Sequence, residues 1–252
     1  FLIISIFLHY HNLEHIFEEK YIVQHDKYVG PYEYLLTQFH GIFVYLRLLV
    51  LPINQMLDYA YPISYSIFHW KAMLGLTGLI IVGIFTKILF NKGFNLEVFG
   101  ILWFFITISL ESSIIPIADT LVEHRLYLPS VGFFILLSAA LLRIRDQYGK
   151  IIFSVIVVVL ISSYSIASFQ RNLLWQDGLT IWADNIEKHP YNPRPYCGRG
   201  VEYFTEGNYD KAIQDFSSAL KLNPNMQNAI GNRGKSYEKL EMFQEAMKDY
   251  SQ

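Results

Sequence analysis

Long apolar stretches broken by short polar loops run through residues 1–172, whereas residues 173–252 mix apolar and charged residues at helical spacing. A helix crosses a bilayer with about 20 predominantly apolar residues. The pattern therefore predicts a bundle of transmembrane helices followed by a water-exposed helical region. The predicted spans lie near residues 1–8 (partial), 35–51, 72–90, 98–115, 128–144 and 151–169.

The predicted span at residues 35–51 differs from the others because Gln38, His40 and Arg47 give it a polar side. Polar side chains are tolerated inside a helical bundle, and they also occur on helices that lie at the membrane surface. The segment could therefore either cross the bilayer against other helices or lie at the interface.

Residues after 192 repeat with a period of 34, which is the period of tetratricopeptide (TPR) helix pairs. The matching positions pair Gly200 with Gly234, Tyr203 with Tyr237, Tyr209 with Phe243, Ala212 with Ala246, and Phe216 with Tyr250. Small residues allow two antiparallel helices to approach, and the aromatic residues fill the space between them. The spacing predicts one full repeat at residues 193–226 and a truncated repeat at 227–252.

The same spacing extends backward to residues 177–190, where Trp182 and Pro190 lie 34 positions before Phe216 and Pro224. These residues are interpreted as the second helix of a degenerate half repeat. Its first helix would then be the emerging end of the last span. The alternative is an ordinary linker helix whose spacing is accidental.

Composition supports this division. The chain has 252 residues, of which 52% are hydrophobic and 17% charged, and its mean hydropathy is +0.25. Such a chain is too apolar for an ordinary water-soluble domain, so the bilayer is its expected surrounding. The formal net charge of −2, without a basic cluster, argues against nucleic acid as a partner. The predicted fold is all-α: a polytopic transmembrane bundle over 1–172 and a TPR α-solenoid over 173–252.

Loop charges predict the orientation of the bundle. The ends of the spans 72–90 and 128–144 and the loops that follow them carry the basic residues Lys87, Lys92, Arg143, Arg145 and Lys150. Basic loops stay in the cytoplasm. The acidic loops at 52–71 and 111–127, together with the TPR region, are therefore expected on the non-cytoplasmic side.

The most unusual polar cluster is Glu123-His124-Arg125, which lies directly before a predicted span. A guanidinium offers a planar fork of donors that suits phosphate, and a low-dielectric surrounding strengthens the contact. The alternative is a membrane anchor, with Arg125 reaching the headgroups and Tyr127 in the aromatic belt.

Three segments of the chain carry a resemblance to a known family. They are EHRLYLPSVGFF (123–134), TQFHGIFVYLRLLVLPINQMLDYAYPIS (37–64) and SSIIPIADTLVEHR (112–125), and a TPR array follows them. Over residues 33–252 the chain resembles the TPR-containing transmembrane O-mannosyltransferase-like proteins and their bacterial homologues, which are GT-C glycosyltransferases. Two positions depart from the family pattern: His40 replaces an expected arginine, and Ala60 replaces a common second aspartate.

The resemblance implies transfer of a sugar from a polyprenyl-phosphate carrier to an acceptor protein at the outer membrane face. In this class the catalytic acid lies in the first outward loop, which is expected upstream of Phe1. The sequence is accordingly expected to be a piece cut at both ends and inactive alone. Any divalent metal would also be bound upstream, and no metal site is predicted here, including at His9, His11 and His15.

Within this sequence the resemblance assigns the donor phosphate to Arg125, with Glu123 and His124 beside it. Asp58 and Tyr59 are the weaker candidates from the neighbouring loop. TPR arrays bind protein segments in a concave groove. By the family's geometry this groove comprises Arg194, Cys197, Val201, Phe204, Asn228, Lys235 and Glu238.

Two other functions fit the same pattern of spans and repeats. One is a non-catalytic membrane scaffold, in which the TPR region recruits proteins and the bundle anchors it. The other is a TPR-tailed polysaccharide polymerase or ligase, which also handles polyprenyl-linked sugars. An acidic pair in the first outward loop would favour the glycosyltransferase over the scaffold.

Overall fold

The computed structural model describes residues 22–24, 27–110, 112, 116 and 119–252 of the protein. The predicted partial span at 1–8, the three histidines at positions 9, 11 and 15, and Glu111 lie outside the described residues. In chain order the elements are β1 (Ile22–Gln24), β2 (Lys27–Val29), α1 (Pro31–Val50), α2 (Trp70–Asn91), α3 (Asn95–Ser109), a 3-10 helix (Glu123–Leu126), α4 (Tyr127–Tyr148), α5 (Lys150–Leu174), α6 (Gly178–Lys188), α7 (Pro193–Thr205), α8 (Tyr209–Leu222), α9 (Gln227–Lys239) and α10 (Phe243–Tyr250).

The chain folds into two compact units. The first unit comprises the described residues up to Arg47 together with Tyr61–Thr120 and His124–Ala139. The second unit comprises Leu48–Ala60, Leu121–Glu123 and Ala140–Gln252. The predicted all-α class is confirmed, with the short antiparallel hairpin β1–β2 as an addition that the sequence pattern did not indicate.

Within the residues that the structure describes, three helices are long and apolar enough to cross a membrane. They are Trp70–Asn91, Glu123–Tyr148 and Lys150–Leu174. Their side chains are mostly exposed, which is expected where lipid rather than protein surrounds a helix. The helix α3 is apolar but has only 15 residues, and α1 falls outside these candidate spans.

In the first unit, small residues let the helices pack closely. Gly100 of α3 and Gly132 of α4 face each other, and a Cβ atom added to Gly100 would lie 2.7 Å from the Gly132 carbonyl oxygen. Gly75 of α2 lies in the same way against the backbone of α1 at Phe39. Glycine contacts of this kind are typical of helices that associate in membranes, where packing replaces the hydrophobic driving force.

The TPR region of the second unit repeats one helix contact at the predicted period. The Phe216 ring of α8 lies on Gly200 of α7, and the Tyr250 ring of α10 lies on Gly234 of α9. An added Cβ at Gly200 would be 2.7 Å from that ring, and one at Gly234 would be 2.6 Å away. The two helices of each repeat therefore require glycine where the aromatic ring lies.

An ion pair repeats with the same period. The Arg199 guanidinium donates to both carboxylate oxygens of Asp215, with N–O distances of 2.8 and 2.9 Å. Arg233 and Asp249 form the same pair at 2.8 and 2.6 Å. Hydrogen bonding to the aspartate raises the pKa of each guanidinium. Each pair links the two helices of one repeat.

Candidate functional site

Two loops of the second unit meet at Glu123, the first residue of the 3-10 helix. Its Oε1 atom accepts hydrogen bonds from the Tyr59 hydroxyl and from the Met56 backbone N–H, both at 2.7 Å. Tyr59 is 5% exposed, so the loop that carries it is packed against Glu123 rather than free in solvent. The structure thus brings together two of the residues that the sequence analysis singled out.

Four side chains of the second unit form what we call the charged cluster: Glu123, Arg171, Asp184 and Lys188. Arg171 lies 3.5 Å from Glu123 and 3.7 Å from Asp184, and Lys188 lies 2.7 Å from Asp184. The four side chains are between 11% and 27% exposed. Two carboxylates and two cations alternate at the end of the candidate span α5, so each charge has an opposite neighbour.

The cations of the charged cluster also hold the loop after α1. Lys188 donates to the Gln55 carbonyl oxygen at 2.8 Å, and Arg171 donates to the same oxygen at 3.4 Å. The Arg171 guanidinium lies 5.7 Å from the centre of the Trp175 ring, a cation–π distance. The Nε atom of Arg171 is buried and has no hydrogen-bond partner in the structure.

A cavity of about 590 Å³ opens in the second unit beside the charged cluster. Residues 50–55 form one wall, and α5 from Leu160 to Leu174 forms the other. Most of the lining is apolar, and its charged residues are Arg171 and Lys188. The carboxylates of the cluster are absent from the lining, so the charge presented to the cavity is positive.

Asp58, the other loop candidate, pairs with a residue predicted for the TPR groove. Its Oδ2 atom lies 3.2 Å from Nε of Arg194, at the start of α7. Its Oδ1 atom accepts from the Ala60 backbone N–H at 3.2 Å. Ala60 has a φ of +38°, and the aspartate side chain supports this turn. Asp58 therefore shapes the loop and links it to the first TPR helix.

Arg125 belongs to the first unit and is 6% exposed. Its guanidinium donates to the backbone oxygens of Asp119 at 2.6 Å and Thr120 at 3.2 Å, and to the Tyr34 hydroxyl at 3.2 Å. The Thr120 oxygen also accepts from the Gln38 side chain at 2.9 Å. Arg125 thus holds the loop before it against α1. His124 is exposed, and Glu123 falls in the other unit.

The predicted groove residues differ in their accessibility. Arg194, Val201, Asn228, Lys235 and Glu238 are exposed and Phe204 is half-buried. Cys197 is 7% exposed and lies in the core of the TPR region with Phe216 and Ala212. Burial raises the pKa of its thiol to about 11. The Cys197 side chain is therefore a packing residue here, and a ligand in the groove would not reach it.

Sequence reasoning missed Arg171, Asp184 and Lys188. Arg171 follows the last apolar residues of a span, where a basic residue normally marks the membrane boundary. Asp184 and Lys188 are four positions apart on α6, a spacing typical of solvent-exposed helix pairs. Neither signal indicates that Arg171 and Lys188 donate to the carbonyl oxygen of Gln55. Within the described part of the chain, no group of three His, Cys, Asp or Glu side chains could hold a metal ion.

Comparison with known proteins agrees with this architecture. Residues 193–226 match the family model described as tetratricopeptide repeat. The chain is 26% identical over 137 residues to protein O-mannosyl-transferase TMTC3 of Homo sapiens, covering 54% of this chain and 15% of that protein. It is 24% identical over 140 residues to protein O-mannosyl-transferase Tmtc3 of Drosophila melanogaster, with the same coverage of 54% and 15%.

A longer match links the chain to protein O-mannosyl-transferase F38B6.6 of Caenorhabditis elegans. The two are 25% identical over 205 residues, which cover 77% of this chain and 28% of that protein. The chain thus spans a minor part of the length of the curated relatives it matches. The predicted resemblance to the TPR-containing O-mannosyltransferase-like proteins is confirmed by these matches.

Proposed function

We propose that this chain is part of an integral-membrane GT-C glycosyltransferase that transfers a sugar from a polyprenyl-phosphate donor to a protein. The observation that carries the proposal is the similarity to three proteins named protein O-mannosyl-transferases, together with the TPR match at residues 193–226. The TPR region would bind the acceptor protein, since stacked repeats leave an extended concave surface.

The arrangement of polar groups supports a site at the membrane surface. The charged cluster lies at the end of the candidate span α5, and the Tyr59–Glu123 bond fixes a loop next to it. Buried polar networks that are held by several partners are rigid, and rigid groups can orient a charged substrate. In this proposal Glu123 and Tyr59 order the loop that borders the donor site.

The proposed active side is the non-cytoplasmic one, because the loops with most basic residues are expected in the cytoplasm. Asp146 lies in the last turn of α4, next to one such loop, and its side chain is 66% exposed. In a Cys197→Ser background, Asp146→Cys should react with an impermeant maleimide only from the cytoplasmic side. Lys221→Cys, on the exposed surface of α8, should react only from the opposite side. The reverse pattern would exclude the proposed orientation.

The enzymatic proposal is tested with the full-length gene product in native membranes. Labelled mannose is supplied as mannosyl-phosphoryl-polyprenol, and transfer to protein is measured against membranes that lack the product. Label in protein supports the proposal. Label in a polysaccharide or a lipid-linked oligosaccharide would indicate the polymerase or ligase. If no sugar is transferred although the protein is present at normal membrane levels and its TPR region binds other proteins, the scaffold is favoured.

A further inference from the structure

The cavity of the second unit combines a lipid-facing wall with a cationic end. Its α5 wall belongs to a candidate span whose apolar window has none of its residues buried against protein. The opposite wall includes Leu51 and Ile53, which are 55% and 57% exposed. Arg171 and Lys188 form the polar end. A molecule that enters from the bilayer would therefore place a chain along α5 and an acidic group at the cations.

The cations are oriented by carboxylates that do not face the cavity. Glu123 and Asp184 contact Arg171 and Lys188 from within the protein and are not part of the lining. The cluster is formally neutral, so binding there depends on directed donors rather than on net charge. The buried Nε–H of Arg171 has no acceptor, and buried donors are normally satisfied.

A phosphate fits these donors better than a single carboxylate. Its several oxygens accept from a guanidinium fork and an ammonium group at once, and arginine is suited to such planar recognition. A volume of about 590 Å³ is within the range of small-ligand sites, so it can hold a headgroup and the first part of a chain.

We propose that this cavity binds the phosphate of a membrane lipid, with Arg171 and Lys188 as its ligands and the lipid chain lying along α5. Where the lipid is a polyprenyl phosphate, the inference rests on the proposed function and gives the donor's carrier a binding site. The chemistry is shared by phosphatidic acid, another bilayer lipid whose headgroup is a phosphate monoester.

The test measures binding of a radiolabelled polyprenyl monophosphate to the purified full-length gene product in detergent, without any sugar. Competitors are unlabelled polyprenyl phosphate, dioleoyl phosphatidic acid, the corresponding polyprenol and inorganic phosphate. We expect the polyprenyl phosphate to compete and the polyprenol to compete at least about tenfold more weakly, since it lacks the charge-assisted hydrogen bonds.

Variants then locate the site. Lys188→Gln and Arg171→Gln should each weaken binding about tenfold, and Arg171→Lys should recover part of the loss. Ala167→Phe, on the α5 wall, should block the cavity without removing a charge. The matched control is Lys221→Gln, which removes an exposed lysine of α8 outside the cavity and should leave binding unchanged.

Each outcome has a defined meaning. Competition by phosphatidic acid as strong as that by polyprenyl phosphate supports a lipid-phosphate site without donor selectivity. Equal competition by polyprenol or by inorganic phosphate overturns the proposal, as does unchanged binding in Lys188→Gln and Ala167→Phe. If binding follows the expectation but membranes transfer no sugar, the site stands and the proposed enzymatic function fails.

Discussion

The Tyr59 hydroxyl donates a 2.7 Å hydrogen bond to Glu123, which lies 64 residues further along the chain. The same carboxylate oxygen accepts from the Met56 backbone, and the other carboxylate oxygen faces Arg171. Glu123 therefore joins a loop to the end of a candidate span. Its negative charge takes part in all of these contacts, and this leads to the first prediction.

Glu123→Gln should destabilise the second unit by about 1–3 kcal/mol. The amide keeps the shape of the side chain but removes the negative charge that faces Arg171 and weakens the bonds to Tyr59 and Met56. Tyr59→Phe removes one neutral donor from the carboxylate and should have a smaller effect, about 0.5–1.5 kcal/mol. The measurement is thermal unfolding in detergent, and the control is Glu187→Gln on the exposed surface of α6. Equal stability of Glu123→Gln and the control would contradict the expectation.

The TPR region was predictable because its period is a local property of the sequence. The 34-residue spacing of Gly200 and Gly234 gave the helix pairs directly. The ion pairs of Arg199 and Arg233 have the same spacing and could have been found from it. The partners of Gln55 could not, since they lie 116 and 133 residues away and depend on the path of the loop.

The resemblance singled out residues of two loops, but it did not indicate the hydrogen-bond partners of their side chains. It singled out Glu123 and Tyr59 without indicating that they bond to each other. It treated Arg125 as a ligand of the donor phosphate, whereas in the structure the guanidinium donates to protein groups and holds a loop against α1. Burial and hydrogen-bond partners are properties of the folded chain, and a short motif does not specify them.

Substitutions can distinguish whether Arg125 binds the donor phosphate or positions the loop before it. If it contacts the donor phosphate, Arg125→Ala in the full-length gene product should lower kcat/KM for the donor by about one to two orders of magnitude. Arg125→Lys should recover part of this, because a point charge lacks the bidentate fork. The measurement is donor-dependent transfer at matched membrane levels.

The control for Arg125 is Tyr34→Phe, which removes one of its protein partners and leaves the charge in place. Near-normal transfer by this variant supports a contact with the donor. Loss of transfer as large as in Arg125→Ala would instead assign Arg125 to positioning of the loop. Equal transfer by all Arg125 variants would support the membrane-anchor interpretation.

The pair of Arg199 and Asp215 should contribute measurably to TPR stability. Asp215 is 6% exposed, and Asp215→Asn leaves the guanidinium without its carboxylate, which should lower stability by about 1–3 kcal/mol. A double-mutant cycle with Arg199→Gln isolates the interaction, and unfolding is followed by the helical circular dichroism signal. A coupling energy near zero would show that the pair does not hold the repeat together.

Cys197 should make stability depend on pH in the alkaline range. Burial raises its pKa from 9.0 to about 11, so the unfolded chain loses the thiol proton first. The stabilising contribution is fully present below about pH 9 and is lost progressively as the pH rises to about 11, by at most about 1.4 kcal/mol per pH unit. Chemical unfolding between pH 8 and 10.5 measures this, and Cys197→Ser should lack the slope. If the stability of Cys197→Ser falls with pH in the same way, other groups cause the pH dependence.

The glycine–aromatic contact and the arginine–aspartate pair both recur in the TPR region. Each repeat therefore carries the same set of internal contacts. A duplicated or deleted stretch of one period would leave the same ring, the same glycine and the same ion pair inside each remaining repeat. The length of the array can therefore change during evolution in whole-repeat steps. Such steps would extend or shorten the surface available to a protein partner while the membrane helices stay as they are.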